Sequence, residues 1–484
     1  MKKIKIVLIL FLLVTAVGVY DIMSKSFSVF GNNTSNVTAI KNKIKNTIFY
    51  IPSKIKKVDE LEKVVETLRE EKKNSTESAL TLYNYSKNID TFKLFKKNTE
   101  KIFSKNNVKY EITYYDLPLL NYYDSKGKPV GYIEKLNENL IILSGDGQLY
   151  KFKESEIGSK TITLTKVQTN IKDFEFFKDI DHLGDVSIRD IEIHDNKIYF
   201  SVIKSKNNCY NLEIYNAVLE QLDKLNFKIF YSIKECLTPE DYLDFNIGQS
   251  GGRIIFAEQN LLFSTGAFRT RVKPQDDKSL YGKIIKINLK NLDAKIVSKG
   301  HRNIQGLTKF KDIIVSTEHG PSGGDEVNVH KNLLNTKEIL NYGWPISSYG
   351  IHYPNVVQRH KNKKTYSELI KIAPLEKSHK DFGFIEPIKY FAPESIGISE
   401  IEFSNINFDP DFKNDIFFGA LRNNPTKYAK LYHLKFDNDF EKVVYEDEIT
   451  IKKRIRDIKI FSDDRNMFLM LETTPSLGIL QKVN

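Results

Sequence analysis

Six stretches of this chain repeat one pattern, and that repetition restricts the fold more than any other feature. They are "GYIEKLNENLIILSGDG" (131–147), "SIRDIEIHDNKIYFSVI" (187–203), "SGGRIIFAEQNLLFSTGA" (250–267), "IQGLTKFKDIIVSTEHG" (304–320), "GISEIEFSNINFDPDFKNDIFFGALR" (397–422) and "RIRDIKIFSDDRNMFLMLET" (454–473). Each is an apolar strand, a turn that usually contains Asn or Asp, and a second apolar strand ending in small or polar residues. Further strand-like runs follow, among them "GQLYKF", "GKIIKINL" and "AKLYHLKF". A small sheet of this kind cannot cover its own faces, so repeated copies stack around an axis as a β-propeller. The competing reading is an irregular sandwich with chance similarity, which six matches with a shared core disfavour. The sequence therefore predicts an all-β, six-bladed propeller over 108–484. Aromatic residues make up 12% of the chain, mostly Tyr and Phe, which suits strands.

The residues before the repeats read differently. "MKKIKIVLILFLLVTAVGVY" sets Lys2, Lys3 and Lys5 ahead of an apolar run, Ile6 to Tyr20. That is a signal peptide or an N-terminal membrane anchor over 1–22, and either predicts export to a periplasmic or extracellular face. Residues 21–52 are polar, as a tether would be. Residues 53–105 carry Val58, Leu61, Val64, Val65 and Leu68 at helical spacing, which predicts a stalk-like helical segment within a 23–107 linker region. The net charge is +11, yet both signs are mixed and no basic-aromatic interleaving tracks a phosphate backbone, so nucleic acid is not an expected partner. The two cysteines, Cys209 and Cys236, border strand-like runs; a disulfide and two buried thiols are both open.

In a propeller, the start of each first strand and the end of each second strand lie on one face, around the channel mouth. Polar groups that converge on a ligand are expected there. Read off in order, these positions give His182 and Asp185, Gln249 to Arg253, His301-Arg302-Asn303, Glu394-Ser395, and Arg454 with Arg456. The second-strand ends add Ser144, Thr265-Gly266, Glu318 to Pro321, Arg422, and Glu472-Thr473. Arg302, Arg422, Arg454 and Arg456 would bring four guanidinium groups toward one axis. A polycarboxylate ligand would relieve their repulsion through bidentate pairs; the alternative is that Arg454 and Arg456 pair with local acids such as Asp457. In the loop "STEHGPSGGDEVN" (316–328), the Gly320 and Pro321 carbonyls suit a hard cation such as Ca²⁺, and Asp325 and Glu326 would bind a second ion or lock the loop.

At "GHRNIQGL" (300–307), "EHGPSGGDEVN" (318–328) and "NYGWP" (341–345), the chain resembles the soluble aldose dehydrogenases that use pyrroloquinoline quinone, the glucose/sorbosone dehydrogenase family. "GGRIIF", "SLYGKIIKINL", "FFGALR" and "RIRDIKI" match more weakly. The resemblance covers about 130–482 and implies a six-bladed propeller that oxidises a sugar. It implies that Arg302 and Asn303 contact the quinone and that Arg454 and Arg456 hold its carboxylates, with Arg422 standing where the family has Lys. Gly320 and Pro321 would hold the Ca²⁺ that polarises the quinone, and Asp325 and Glu326 would help to bind structural Ca²⁺.

The chain also departs from the pattern. Where the resemblance implies a His as general base, before "GGR", this chain has Gln249, whose amide has no useful basicity near neutral pH. Ser144 and Ala267 stand where the family has further polar or acidic groups, and His182 is a candidate replacement base. Three readings follow: an exported quinone-dependent oxidoreductase, which is preferred; a non-catalytic propeller that binds a sugar, glycan or protein on the same face; and a surface scaffold on a stalk.

Overall fold

The computed structural model describes residues 90–117, 131–145, 147–174, 188–242, 245–351, 378–422, 428–472 and 476–483. All of them lie in the compact unit that runs from Ala79 to Asn484. The expected signal or anchor segment, the tether and residues 53–89 of the expected stalk fall outside the described residues, as do His182, Asp185 and Thr473.

Each repeat identified in the sequence is a β-hairpin. The turn between its two strands needs left-handed backbone to match the strand twist. Asn137, Asp195, Asn196 and Asn414 supply it with φ of 53°, 44°, 55° and 67°, and Glu258 and Lys311 take the same conformation in two other turns. Short polar side chains tolerate that region best, which is why Asn and Asp mark the hairpins.

The hairpins extend into antiparallel sheets. Ile188–His194 leads a four-stranded sheet that ends at Lys228–Ser232, and Ile304–Phe310 and Ile398–Phe403 lead two more. Gly251–Ala257 leads a five-stranded sheet. Among the described residues, the remaining ten strands form one sheet, in which Gly131–Leu136 and Ile455–Lys459 occupy the two ends. These six leading strands touch in a closed cycle, each against the next, with Ile455–Lys459 returning to Gly131–Leu136.

Apolar side chains fill the gaps between neighbouring sheets. Tyr132, Ile141 and Leu143 pack on Ile188, Phe200 and Tyr215. Tyr199 and Ile214 meet Ile254 and Phe263. The same occurs at every junction around the cycle, through to Phe468 and Met470 against Ile133 and Ile142. Close packing fixes small residues as well: a Cβ on Gly306 would lie 2.6 Å from the Ile401 nitrogen on the neighbouring leading strand.

One expectation needs correction. Thr91–Phe103, which lies within the expected helical segment 53–105, is a 13-residue strand. Thr91–Phe95 pairs with Thr161–Thr165 and Lys96–Phe103 pairs with Lys109–Tyr115, so this strand stitches two sheets into the ten-stranded one. Leu94 is 1% exposed between them. Each half pairs with a different strand, so ladder pairing runs along the strand, which outweighs local helix propensity. The β body thus begins before residue 108. Asp325 and Glu326, expected in a loop, open the strand Asp325–His330.

Cys209 and Cys236 form a disulfide. It staples the start of Cys209–Val218 to the segment after Lys228–Ser232, which pairs antiparallel with it.

A buried charge network plugs the axis. Arg253, 3% exposed, bonds Asp190 Oδ1 at 3.0 Å and the Gln305 carbonyl at 2.7 Å, contacts Glu400, and lies 3.5 Å from Asp457 Oδ1. Its guanidinium sits 5.0 Å from the centre of the Tyr132 ring. All six leading strands contribute to this one contact set. Deeper along the axis, Lys459 pairs with Glu134 and with Glu192, the latter at 2.7 Å.

Candidate functional site

At the channel mouth, turns from different repeats meet. Gln249 ends a short 3-10 turn, Ile247–Gln249, and is 6% exposed. Its carbonyl accepts from Phe268 N at 2.8 Å, and Gly266 N donates to the Ser250 carbonyl at 2.6 Å. Only glycine fits at 266, because a Cβ there would come within 2.1 Å of the Gln249 carbonyl. With the amide assigned from its neighbours, Gln249 Oε1 accepts from Arg269 Nε at 2.6 Å and from Arg302 Nη2 at 2.9 Å. The position implied for a base therefore holds a neutral acceptor between two cations.

Arg302, 4% exposed, is anchored by the two loops that carried the resemblance. Its N–H donates to Glu318, its Nη1 donates to the His319 carbonyl at 2.8 Å, and its guanidinium lies 5.5 Å from the Trp344 ring centre. Glu318 also faces His301 Nδ1 at 2.9 Å, whose Nε2 meets Ser298 Oγ at 2.8 Å. The "NYGWP" turn closes beside it: Trp344 N donates to the Gly300 carbonyl, and Gln275 Nε2 donates to the Trp344 carbonyl at 2.7 Å. A cavity of about 10 Å³, the size of one water, lies behind Arg302, lined by His319, Glu326, Trp344 and His379. Trp344 Nε1 is buried without a hydrogen-bond partner among the described residues.

Asn303 serves the Gln249 turn. Its Oδ1 accepts from Gly251 N at 3.1 Å and from Gln305 Nε2 at 3.0 Å. Gln305 Oε1 in turn accepts from Arg456 Nη1 at 3.2 Å. Arg456 Nε and Arg454 Nε donate to the two oxygens of Glu472 at 2.6 and 2.7 Å. Arg454 also reaches the Leu421 carbonyl. The acid that pairs both arginines is thus Glu472, not Asp457, which faces Arg253 and Ile133 N instead. Arg422 is exposed, with Nη1 on the Ser395 carbonyl at 2.8 Å.

The donor set decides how a cation would fit. Gly320 N donates to Asp325 Oδ1 at 3.0 Å. Asp325 Oδ2 accepts from Ser395 Oγ, Ile396 N and Gly397 N at 2.6, 2.9 and 2.7 Å. Both oxygens of Asp325 are occupied, and they tie the 318–325 loop to the 395–398 turn. Glu326 meets His379 Nε2 at 3.0 Å and accepts from Asn328 at 3.3 Å. Burial raises the Glu326 pKa; burial opposes charging His379, but the Glu326 carboxylate raises it overall. As placed, these two acids serve the protein and are poor Ca²⁺ ligands. The Gly320 carbonyl accepts no hydrogen bond among the described residues and suits a hard cation. Among the described residues, no three His, Cys, Asp or Glu side chains cluster as metal ligands.

His319 stays neutral. Burial, with Arg302 and Arg456 nearby, pushes its pKa down to about 4 despite Asp325. Ser144 bonds the Gln148 backbone, and Ala267 N donates to the Arg302 carbonyl at 2.8 Å.

Glu472 and Arg253 lie among the mouth positions expected from the sequence, though without an assigned partner, whereas Arg269 and Arg189 were not expected there. A signal existed for some of them. "SIRDIEI", "GGRIIF", "ISEIEF" and "RIRDIKI" each place a charge inside an apolar leading strand, where it faces the axis.

The profile of the glucose/sorbosone dehydrogenase family matches residues 137–477. Aldose sugar dehydrogenase YliI of Escherichia coli K12 is 28% identical over 252 residues, 48% of this chain and 59% of that relative. An uncharacterised Synechocystis protein is 29% identical over 237 residues, 46% of this chain and 48% of its own length. The chain therefore spans about half the length of the curated relatives it matches. Among solved structures, the apo soluble aldose sugar dehydrogenase of Escherichia coli superposes with a TM-score of 0.55 at 19% identity, covering 80% of this chain and 99% of that one, a likeness of fold. With a family match over most of the β body, and with the 300–307, 318–328 and 341–345 motifs packed together at one mouth, the chain belongs to the glucose/sorbosone dehydrogenase family.

Proposed function

We propose that this chain is an exported, quinone-dependent oxidoreductase acting on a CH–OH group of a sugar, built as a six-bladed propeller. The cycle of six leading strands supports the blade count. The observation that carries the function is the continuity of the mouth network. Arg302 binds the 318–320 loop, and Asn303, Gln305, Arg456, Glu472 and Arg454 follow one another in hydrogen-bond contact. A planar polycarboxylate such as pyrroloquinoline quinone suits a mouth that gathers several guanidinium groups.

In this reading Arg454 and Arg456 hold the quinone's carboxylates, Arg302 reaches its ring oxygens, and Arg422 borders the opening. Asn303 positions the Gln249 turn. The Gly320 and Pro321 carbonyls bind Ca²⁺, while Asp325 and Glu326 keep their loop in place. When bound, a quinone held beside Ca²⁺ would supply a hydride acceptor. Gln249 orients a substrate hydroxyl but takes no proton, so losing a base costs about 10²–10⁴-fold in rate. The Cys209–Cys236 disulfide supports an oxidising compartment outside the cytoplasm. Among the described residues no helix is long and apolar enough to cross a membrane. An anchor at residues 6–20 therefore belongs to the proposal.

The second reading is a non-catalytic propeller that binds a sugar or glycan at this mouth, and one observation favours it: Gln249 Oε1 is already taken by two guanidinium groups. Dye reduction by the purified chain with Ca²⁺ and pyrroloquinoline quinone, across a sugar panel, separates the two. Turnover supports the oxidoreductase. Absence of both cofactor binding and turnover sinks it.

A further inference from the structure

Glu326, near the start of the strand Asp325–His330, meets an imidazole from far along the chain, and both side chains are buried. His379 Nε2 lies 3.0 Å from Glu326 Oε1, and Ser347 Oγ lies 2.5 Å from Nδ1 of the same ring. A carboxylate only accepts, so these neighbours assign the tautomer: Nε2–H donates to Glu326 and Nδ1 accepts from the Ser347 hydroxyl. Asn328 Nδ2 donates to the other Glu326 oxygen at 3.3 Å. Each oxygen of this buried acid therefore has a protein donor.

The imidazole is itself held firmly. Phe382 N and Phe384 N both donate to the His379 carbonyl at 3.0 Å. Glu386 Oε1 accepts from Lys380 N at 2.6 Å and from Ser378 Oγ, on either side of the histidine, and its Oε2 accepts from Tyr349 Oη at 2.5 Å. The Tyr349 ring stands edge-on to His379, with 5.6 Å between centres. Gly343 of the "NYGWP" turn leaves the space, since a Cβ there would lie 2.2 Å from His379 Nδ1. The water-sized cavity behind Arg302 adjoins this pair, lined by Arg302, Glu326, Trp344 and His379 among others. The buried Trp344 Nε1–H has no partner among the described residues and calls for an acceptor, while Arg302 brings positive charge. An N–H donor and a guanidinium disfavour a cation there; a neutral water, able to accept from Trp344, suits the space.

We propose that this chain fastens its 318–328 loop without a structural metal: His379 occupies Glu326 as a hydrogen-bond donor where the family pattern implies Ca²⁺, and a single water fills the cavity beside it. Ca²⁺ takes roughly six to eight oxygen ligands. At Glu326 it would have to displace His379, whose N–H cannot ligate a metal. Asp325 is committed in the same way, to Gly320 N, Ser395 Oγ, Ile396 N and Gly397 N. The lock sets the His319 carbonyl, and with it Arg302, before any cofactor arrives. It leaves the Gly320 carbonyl for the Ca²⁺ that accompanies the quinone; that last point rests on the oxidoreductase reading, and the lock itself does not.

The test is thermal unfolding of the full chain without quinone, once in chelator and once in excess Ca²⁺. The parent is expected to melt at the same temperature in both. His379→Leu, which takes the donor away from a buried carboxylate, is expected to melt a few degrees lower. His379→Gln, whose amide donates from the place of Nε2, is expected to recover most of that loss. A fall of the parent's melting temperature in chelator that Glu326→Gln abolishes overturns the proposal, because the carboxylate would then be a metal ligand. A His379→Leu variant as stable as the parent also overturns it. If that variant fails to fold by circular dichroism, the chelator comparison of the parent with Glu326→Gln decides alone. A chain that melts as expected and reduces no dye when loaded supports the lock and counts against the oxidoreductase reading instead.

Discussion

Glu472 receives Arg454 on one carboxylate oxygen and Arg456 on the other, at 2.7 and 2.6 Å. The two arginines are two residues apart along one extended segment, so their side chains leave it on the same side and reach a single acid. Burial works against ionising Glu472, but Arg456 and Arg454 hold its pKa below the ordinary carboxylate range.

Removing that charge should be expensive. Glu472→Gln leaves two neighbouring guanidinium groups without their shared anion, and breaking a buried pair costs about 3–5 kcal/mol. Thermal unfolding should show the loss, and pyrroloquinoline quinone, which would bring carboxylates to the same arginines, should restore part of it. An unchanged melting temperature would rule out the paired arrangement. In the parent chain the depressed pKa makes this contribution present above the unfolded Glu pKa, about 4.3, and lost as pH falls through the folded value.

Restoring a base tests the site directly. A His introduced by Gln249→His would sit between Arg269 and Arg302, whose charges keep an imidazole neutral and able to accept a proton at pH 7. Dye reduction should then rise by about 10²-fold or more in the loaded chain. No rise, with cofactor binding intact, would mean that a base is not what the site lacks.

The axis carries a pH-dependent cost. Burial pushes Glu402 up to about 7, against the pull of Lys459. Its folded pKa exceeds its unfolded value, so the folded state holds the proton more tightly and stability falls as pH rises through about 4 to 7. Asp457, raised by burial to about 6, contributes the same sign over a lower window. Glu402→Gln should therefore stabilise the protein at pH 8, on the order of 3 kcal/mol, and have little effect at pH 4. A stabilisation independent of pH would contradict this account.

The strand Thr91–Phe103 should matter to the whole β body rather than to one end. Leu94 is buried between two sheets that this strand joins, and Leu94→Ala is expected to cost about 2–4 kcal/mol. Denaturant unfolding of the full chain measures it; a cost within about 0.5 kcal/mol, the scale of surface substitutions, would show that the strand is peripheral.

Cys209 and Cys236 are 27 residues apart, and a loop of that size gives a disulfide about 3–4 kcal/mol in the chain-entropy account. Reduction should lower the melting temperature and shift mobility on a non-reducing gel. Identical behaviour with and without reductant would argue that the bond does not form.

The sequence alone determined the all-β body, its six hairpins and the loops that carry the family motifs. Strand period, turn residues such as Asn137 and Asn196, and close-packed glycines such as Gly266 are local requirements, written into neighbouring residues. It also brought Arg302, Arg454 and Arg456 to one mouth, because hairpin ends in a cycle of sheets must share a face. Only the tertiary structure decided the partners. Glu472 rather than Asp457 takes the arginines, Asp325 caps a turn 70 residues downstream, and Thr91–Phe103 is a strand because two distant sheets pair with it. Those choices depend on distances between residues far apart in the chain, and no local pattern encodes them.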